Sequence, residues 1–240
     1  MKNTGSRKPR AFESWLFGKW GPLEKALAVR AKEMVWPEGA FCCACGRIAG
    51  EDGLCAACRD SLQYDGAVFA WERSDPEPDL PAWSLRPHDG VPRDLILRLK
   101  YGAEARAARL LAELLLPLPP DVSFPPDTVV TWVTMPESRL RDRAVDHGRL
   151  LAETFAEKLS LPCRQLLLRR DRREKRQVTL TAAQRAANLA GAFRPKESIA
   201  FPVLIVDDVR TTGTTLCRCA DALREGGAQQ VFALTVTARK

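Results

Sequence analysis

The sequence predicts an α/β protein built around a parallel sheet, and two stretches of the 240-residue chain support that fold class. The apolar run Val203–Val206 follows Pro202 and is typical of a strand buried on both faces, as the strands of parallel sheets are. A second strand is predicted over 129–134, and a helical pattern follows it to about Leu159. Strands that alternate with helices favour a parallel sheet flanked by helices.

Two carboxylates, Asp207 and Asp208, come directly after the first of these runs, and the loop Thr211, Thr212, Gly213, Thr214, Thr215 follows them. Helical spacing after the loop predicts a helix N-terminus there, where backbone N–H groups and the helix dipole attract phosphate. Adjacent carboxylates suit the vicinal hydroxyls of a ribose, or a Mg²⁺ bound with it. The alternative is structural, with either carboxylate satisfying backbone donors in a capping turn. The sequence has no G-x-x-x-x-G-K-[ST] motif, which argues against a P-loop ATPase.

Positive charge is concentrated in one part of the chain. Residues 139–185 hold 13 Lys and Arg against 6 Asp and Glu, an excess equal to the formal net charge of +7 of the whole sequence. Such a zone suits a polyphosphate or a nucleic acid, and a solvated basic face is the alternative. Within it, residues 169–177 lack apolar periodicity and are expected to form a mobile loop.

Four of the eight cysteines form two C-x₂-C pairs, separated by nine residues: Cys42, Cys45, Cys55 and Cys58. This spacing is typical of a tetrahedral structural zinc site, and four unrelated free thiols are the alternative. Cys43 is left over. The sequence contains neither a signal-peptide core nor an apolar run of 18 residues, so we expect a cytoplasmic protein without a membrane span. In that compartment cysteines favour metal or free thiols over disulfides.

Composition shifts divide the chain into four expected parts. Residues 1–40 are a partly helical extension whose tryptophans, among them Trp15 and Trp20, fit either a membrane-surface or partner-binding helix or a segment that folds back on the domain. Residues 41–64 are the zinc-finger module, 65–93 a linker or loop, and 94–240 the α/β domain. The sequence does not indicate an oligomeric state.

These motifs together resemble a known family. The acidic pair and threonine-glycine loop resemble the phosphoribosyl-diphosphate (PRPP) signature of type I phosphoribosyltransferases. With the four-cysteine module, the Lys100-Tyr101-Gly102 element, the Pro136…Arg139…Arg143 element, and Gln177 with Arg185 and Asn188, the stretch from Phe41 to Ala238 resembles the ComF (competence protein F) family.

The resemblance implies a type I phosphoribosyltransferase-like sheet with a small N-terminal zinc-binding module. It implies that Asp207 and Asp208 hold the ribose hydroxyls of PRPP, or of another ribose phosphate, with Mg²⁺, and that Thr211 to Thr215 hold the 5′-phosphate. Four basic residues are expected to neutralise the departing pyrophosphate. Two follow the strand predicted over 129–134 and two lie in the loop 169–177: Arg139, Arg143, Lys175 and Arg176. The resemblance also implies an association with natural competence and DNA uptake.

One segment departs from the family pattern. The family has Arg-Gly-Phe-Asn-Gln where this chain has Arg143 to His147, with Ala144 and Asp146 in place of glycine and asparagine. The extra side chain and extra carboxylate predict weaker diphosphate binding. His147 is expected to be a surface residue rather than a proton donor.

Two classes of function remain open from the sequence. One is an enzyme that transfers phosphoribose from PRPP and releases pyrophosphate. The other is a binding module for single-stranded DNA or a competence partner protein. Because residues 164–176 contain no aromatic side chain for base stacking, a DNA contact would be electrostatic or carried by a partner.

Overall fold

A computed structural model of the chain describes residues 40–62, 80–102, 105–115, 118, 122–137, 140, 145–169 and 191–239, and elements are numbered within these residues. The strands are β1 (Ala82–Pro87), β2 (Val129–Trp132), β3 (Leu167–Arg169), β4 (Phe193–Pro195), β5 (Val203–Arg210) and β6 (Val231–Ala238). The helices are α1 (Ala56–Asp60), α2 (Gly90–Gly102), α3 (Ala105–Leu115), α4 (His147–Leu159) and α5 (Thr214–Glu225).

The central sheet has the strand order β1-β6-β5-β2, and every neighbouring pair is parallel. Strand β5 lies inside the sheet because it pairs with β6 on one side and with β2 on the other. All carboxyl ends of the strands therefore meet at one edge, which is where open α/β sheets bind ligands. The predicted fold class is confirmed.

Side chains of β5 alternate between two hydrophobic layers, as the period of two in a strand requires. Leu204 and Val206 pack with α2, α3 and α4, whereas Val203 and Ile205 pack with α5 and the β3–β4 pair. All four residues are essentially inaccessible to solvent. This explains why the stretch reads as a continuous apolar run rather than an alternating one.

The stretch expected to be a linker, residues 65–93, contains strand β1. Its residues Ala82, Ser84, Leu85 and Arg86 are buried, and it pairs along its length with β6. The prediction failed because polar residues and the terminal proline hide the apolar pattern. Strand β1 lies at the edge of the sheet and pairs with a neighbour on one side, and an edge strand tolerates proline and polar residues. Helix α2 also starts earlier than the expected Asp94, at Gly90.

The apolar stretch 165–168 has the composition of a short strand, but the strand it contributes to, β3, covers 167–169 and lies outside the central sheet. Strand β3 pairs antiparallel with β4 in a separate two-stranded sheet beneath α5. The predicted end of the helix that follows the strand over 129–134 is confirmed, since α4 ends at Leu159. Within the described residues, no helix combines the length and the apolar composition needed to cross a bilayer.

Candidate ligand site and metal cluster

The two carboxylates lie within β5 rather than after it, because the strand continues to Arg210. Alternation along the strand therefore sends them to opposite faces of the sheet. Asp208 follows Leu204 and Val206 towards α2 and α4, whereas Asp207 follows Val203 and faces α5. The sequence suggested a side-by-side pair; the structure gives each carboxylate its own surroundings.

Asp208 is buried and held by two basic side chains. Its Oδ2 atom lies 2.6 Å from the Lys100 ammonium on α2 and 3.7 Å from Nε2 of His147, the first residue of α4. The side chains of Lys100 and His147 are 23% and 12% exposed, against 7% for Asp208. A carboxylate so far removed from water needs such partners to stay charged. Two helix ends thus converge on one strand residue.

Asp207 is in a different electrostatic state. Burial, followed by the negative charge of Asp208, raises its pKa to about 7. Its Oδ1 atom accepts a hydrogen bond of 2.9 Å from the backbone N–H of Asp208, which ties the two residues together. On the α5 side, burial and then the charge of Asp207 raise the pKa of the Cys219 thiol. Near neutral pH Asp207 is therefore only partly ionised.

The threonine-glycine loop is a tight turn from β5 into α5. Gly213 is the N-cap of the helix and has a φ of 77°, a left-handed conformation that favours glycine. Because Gly213 has no side chain, the N-cap residue itself makes no capping hydrogen bond, and the Thr214 N–H donates to Thr212 Oγ1 at 3.5 Å. Thr212 and Thr214 share a hydroxyl–hydroxyl hydrogen bond of 2.9 Å at this turn. Thr211 and Thr212 are exposed, while Thr214 and Thr215 begin the helix.

The neighbouring strand ends are joined to this site by polar side chains. Arg210 Nε donates to Ser84 Oγ on β1 at 3.0 Å, and Ser84 shares a 2.8 Å hydrogen bond with Thr235 on β6. These bonds fix the carboxyl edge across β1, β6 and β5. The edge is therefore rigid on the side of β5 opposite to β2.

A second chain of hydrogen bonds reaches the backbone of Asp208. Thr237 Oγ1 donates to the Asp208 carbonyl at 3.3 Å and shares a 2.8 Å bond with His88 Nδ1. His88 Nε2 lies 3.3 Å from Arg239. Burial, and then the charges of Arg239 and Lys100, lower the pKa of His88. A neutral His88 that donates through Nδ1 and accepts from Arg239 at Nε2 satisfies every bond in the chain.

The four predicted zinc ligands come together in space. The Sγ atoms of Cys42, Cys45, Cys55 and Cys58 all lie within 4.8 Å of one another. Two of them, in Cys45 and Cys55, are 3.6 Å apart. Tetrahedral coordination at a Zn–S distance of about 2.3 Å separates sulfurs by roughly 3.8 Å, and a disulfide would need about 2.0 Å. The cluster could hold a metal such as zinc.

The electrostatics of the cluster also fit a cation. Desolvation and hydrogen bonds with Cys45 and its neighbours raise the pKa of Cys58, whereas hydrogen bonds with Arg47 outweigh desolvation and lower the pKa of Cys45 to about 6. Four crowded thiols cannot all ionise without a positive charge between them. A bound metal ion supplies that charge.

The cysteine module packs against the helices of the α/β domain. Cys42, Cys43, Leu54 and Leu62 belong to the same hydrophobic layer as α2 and α3. Gly53, with a φ of +87°, faces the Arg106 guanidinium so closely that a side chain there would collide with it. Cys43 is thus a core residue rather than a fifth ligand.

Four residues of the predicted site lie outside the described residues: Arg139, Arg143, Lys175 and Arg176. The same holds for Ala144, for the loop 170–177 and for the helix predicted from Ala182 to Leu189. The structure places Asp207, Asp208 and the Thr211–Thr215 loop at one edge of the sheet. It does not bring the cysteine cluster into contact with that edge.

Two basic residues of the site were not predicted. His147 was expected at the surface, but it is mostly buried and faces Asp208. Lys100 belongs to the Lys100-Tyr101-Gly102 element of the family resemblance, to which the sequence assigns no function. Both residues could be recognised from their position, because each lies at the end of a helix that meets the carboxyl edge of the sheet. The departure at Asp146 also has a local explanation, because its side chain accepts from Arg149 N at 3.1 Å and caps α4.

Comparison with known proteins agrees with this geometry. A family model described as the phosphoribosyl transferase domain matches residues 146–240, which include β5, the threonine-glycine loop, α5 and β6. This part of the chain is phosphoribosyltransferase-like. The match begins at the cap of α4 and leaves the cysteine module, β1, α2 and β2 outside it. No match was found among curated proteins.

Several solved structures are similar to parts of this chain. Glutamine PRPP amidotransferase from B. subtilis, complexed with ADP and GMP, is 20% identical with a TM-score of 0.34, over 53% of this chain and 24% of its own. Orotate phosphoribosyltransferase from Aeropyrum pernix is 22% identical with a TM-score of 0.27, over 62% and 58%. Adenine phosphoribosyltransferase from Leishmania tarentolae is 14% identical with a TM-score of 0.30, over 57% and 71%. The chain thus spans about a quarter of the amidotransferase, and the assignment depends on the domain match rather than on these likenesses.

Proposed function

We propose that the protein binds PRPP, or a related ribose 5-phosphate, with Mg²⁺ at the carboxyl edge of β5. The observation that carries the proposal is the placement of the buried Asp208, which pairs with Lys100, one short turn before the N-terminus of α5, whose N-cap residue is a glycine. Asp208 accepts hydrogen bonds from ribose hydroxyls. The N–H groups of α5 and the hydroxyls of Thr211, Thr212, Thr214 and Thr215 hold the 5′-phosphate.

Transfer of the phosphoribosyl group is the reaction that this site supports best. The C1–O bond to the diphosphate breaks and its electron pair leaves with pyrophosphate, while an acceptor nucleophile bonds to C1 and gives up a proton. Because the transition state carries positive charge on the sugar, the protein has to position it and stabilise the separating charges. We assign the pyrophosphate contacts to Arg139, Arg143, Lys175 and Arg176, and Mg²⁺ accompanies the diphosphate.

We also propose that the four-cysteine cluster binds zinc with a structural role. All four ligands are thiolates, so no coordination position is open for catalysis. None of the eight cysteines forms a disulfide, which suits a reducing compartment such as the cytoplasm.

A role in competence and DNA uptake is the alternative proposal. Its support is the resemblance of the sequence to the ComF family and the charge excess over 139–185. Two arginines of that zone are engaged locally, since Arg164 lies over the Phe201 ring and Arg169 over the Phe193 ring. Nucleic acid would therefore rely on the remaining basic residues, and ribose phosphate binding is the better supported function.

Calorimetry with PRPP and Mg²⁺ tests the main proposal. We expect measurable affinity for the wild type and a loss of about tenfold or more for Asp208→Asn, because hydrogen bonds to a charged group contribute about 1.5–3 kcal/mol. Gly213→Ala should weaken binding of the phosphate, because a φ of 77° is strained for a residue with a Cβ atom.

Asp207→Asn is the matched variant for this experiment. It removes the neighbouring carboxylate from the opposite face of β5, so its effect should be smaller than that of Asp208→Asn. Equal affinity in the wild type, Asp208→Asn and Gly213→Ala would show that the site does not bind the ligand.

A further inference from the structure

Lys100 is the nearer of the two basic side chains that contact Asp208. Lys100 lies in the last turn of α2, and its Nζ atom is 2.6 Å from the Asp208 carboxylate. Its side chain is 23% exposed, so it is partly accessible from solvent. A lysine that only covered the core would not need to end on the most buried acid of the site.

The ammonium group has capacity for a second partner. It carries three N–H donors, and an ion pair with one oxygen, Asp208 Oδ2 at 2.6 Å, cannot engage all three. Across the same oxygen, His147 Nε2 lies at 3.7 Å. The carboxylate therefore lies between two basic groups from α2 and α4, which places donors for an anion beside any ribose that hydrogen-bonds to Asp208.

The chemistry of a ribose phosphate identifies that anion. The 2-hydroxyl, which a carboxylate such as Asp208 binds, is on the carbon next to C1. A cation bonded to the same carboxylate is therefore close to the substituent at C1, within reach of a charge-assisted hydrogen bond of about 2.7–2.9 Å after a small side-chain movement. In PRPP that substituent is a diphosphate, whereas ribose 5-phosphate has a hydroxyl there.

We propose that Lys100 recognises the diphosphate at C1 and makes this site prefer PRPP over ribose 5-phosphate. The inference rests on the proposed function and adds a specificity-determining residue from α2, which lies outside the matched phosphoribosyl transferase domain region. Lys100 thereby has two tasks: it orients Asp208 before binding and contacts the diphosphate afterwards.

The experiment compares the affinities of PRPP and ribose 5-phosphate, each measured by calorimetry at the same Mg²⁺ concentration. Lys100→Gln keeps a donor that can reach Asp208 but removes the charge. We expect it to lower PRPP affinity roughly 10- to 100-fold while ribose 5-phosphate affinity changes by less than about threefold. Lys100→Arg keeps the charge and should retain most of the preference for PRPP.

Lys158→Gln is the matched control, because Lys158 lies in the last turn of α4, pairs with Glu113 at 3.6 Å and is 42% exposed. It should leave both affinities unchanged. A thermal melt of each variant confirms that it is folded at the titration temperature. If Lys100→Gln is not folded, Lys100→Met, which also removes the charge and should lower PRPP affinity in the same way, takes its place.

The outcomes separate the two proposals. An equal fall in both affinities, or no fall in either, overturns the role of Lys100 while leaving ribose phosphate binding in place. Failure of the wild type to bind either ligand overturns the proposed function and this inference with it.

Discussion

At the scale of single residues, adjacency in sequence does not give Asp207 and Asp208 equal roles. The pleat of β5 sends Asp208 towards Lys100 and His147, and Asp207 towards α5. Burial and the neighbouring negative charge disfavour the ionised form of Asp207 and raise its pKa. The two carboxylates are therefore not equivalent.

This difference predicts a pH-dependent effect of Asp207→Asn on stability. The pKa of Asp207 is about 7 in the folded protein against an ordinary value of 3.8, so the folded state binds more protons between these values and loses stability as pH rises through them. Asparagine does not ionise and avoids this loss. We expect Asp207→Asn to gain at least about 1.4 kcal/mol relative to the wild type between pH 5 and pH 8.

Urea denaturation at the two pH values measures that change. Asp127→Asn, the same substitution at an exposed position before β2, is the control and should show no such dependence. A constant difference between Asp207→Asn and the wild type across this range would contradict the assigned surroundings of Asp207.

At the scale of elements, the cysteine module is a short segment that depends on what it binds and what it packs against. Its regular structure is the five-residue helix α1, and its buried residues are mostly the cysteines themselves with Leu54 and Leu62. A segment of this size has too little apolar surface for a core of its own. Metal binding and contact with α2 and α3 have to supply the missing stability.

We therefore expect one zinc per purified chain, retained through dialysis, and its loss in Cys55→Ser. Structural zinc contributes about 10–16 kcal/mol in zinc-finger peptides, so Cys55→Ser should also lower the melting temperature. Metal analysis and thermal melts measure both effects. Cys43→Ala is the control, because Cys43 is buried beside the cluster without belonging to it, and it should keep its zinc. Zinc at wild-type level in Cys55→Ser would refute the assignment.

At the scale of the whole molecule, one hydrophobic layer connects the cysteine module with the ligand site. The layer includes Cys42, Leu54, the apolar face of α2 and the core residues of α4. Helix α2 then ends at Lys100, and α4 begins at His147, on either side of Asp208. The module thus supports the helices that hold the charged carboxylate, although it does not touch the site.

The distribution of charge over the whole chain leads to a prediction about nucleic acid. If the basic zone 139–185 binds single-stranded DNA, log affinity should fall with log salt by roughly 0.7 for each phosphate contacted. Lys175→Gln with Arg176→Gln should then reduce this slope by roughly 0.7 per lost contact, and Arg218→Gln, outside the zone, should not. Fluorescence anisotropy at several salt concentrations measures the slope. A salt-independent signal, or none, would reject electrostatic DNA binding by this zone.

The sequence by itself determined the parts of this protein that depend on local patterns. The apolar run before Asp207 predicts a strand buried on two faces, the paired C-x₂-C spacing predicts the cysteine cluster, and the glycine of the threonine loop predicts the turn into α5. In each case a few neighbouring residues contain the physical cause, whether burial, ligand spacing or a positive φ.

The tertiary structure decided what depends on contacts between distant segments. The segment Ala82–Pro87 forms a strand because it pairs with β6, about 150 residues away, and not because of its own composition. Lys100 and His147 become part of the site only because two helices end beside β5. The face to which each carboxylate points follows from how far β5 continues, and the backbone pairing with β6 up to Arg210 fixes that length. These are long-range interactions, and no local pattern encodes them.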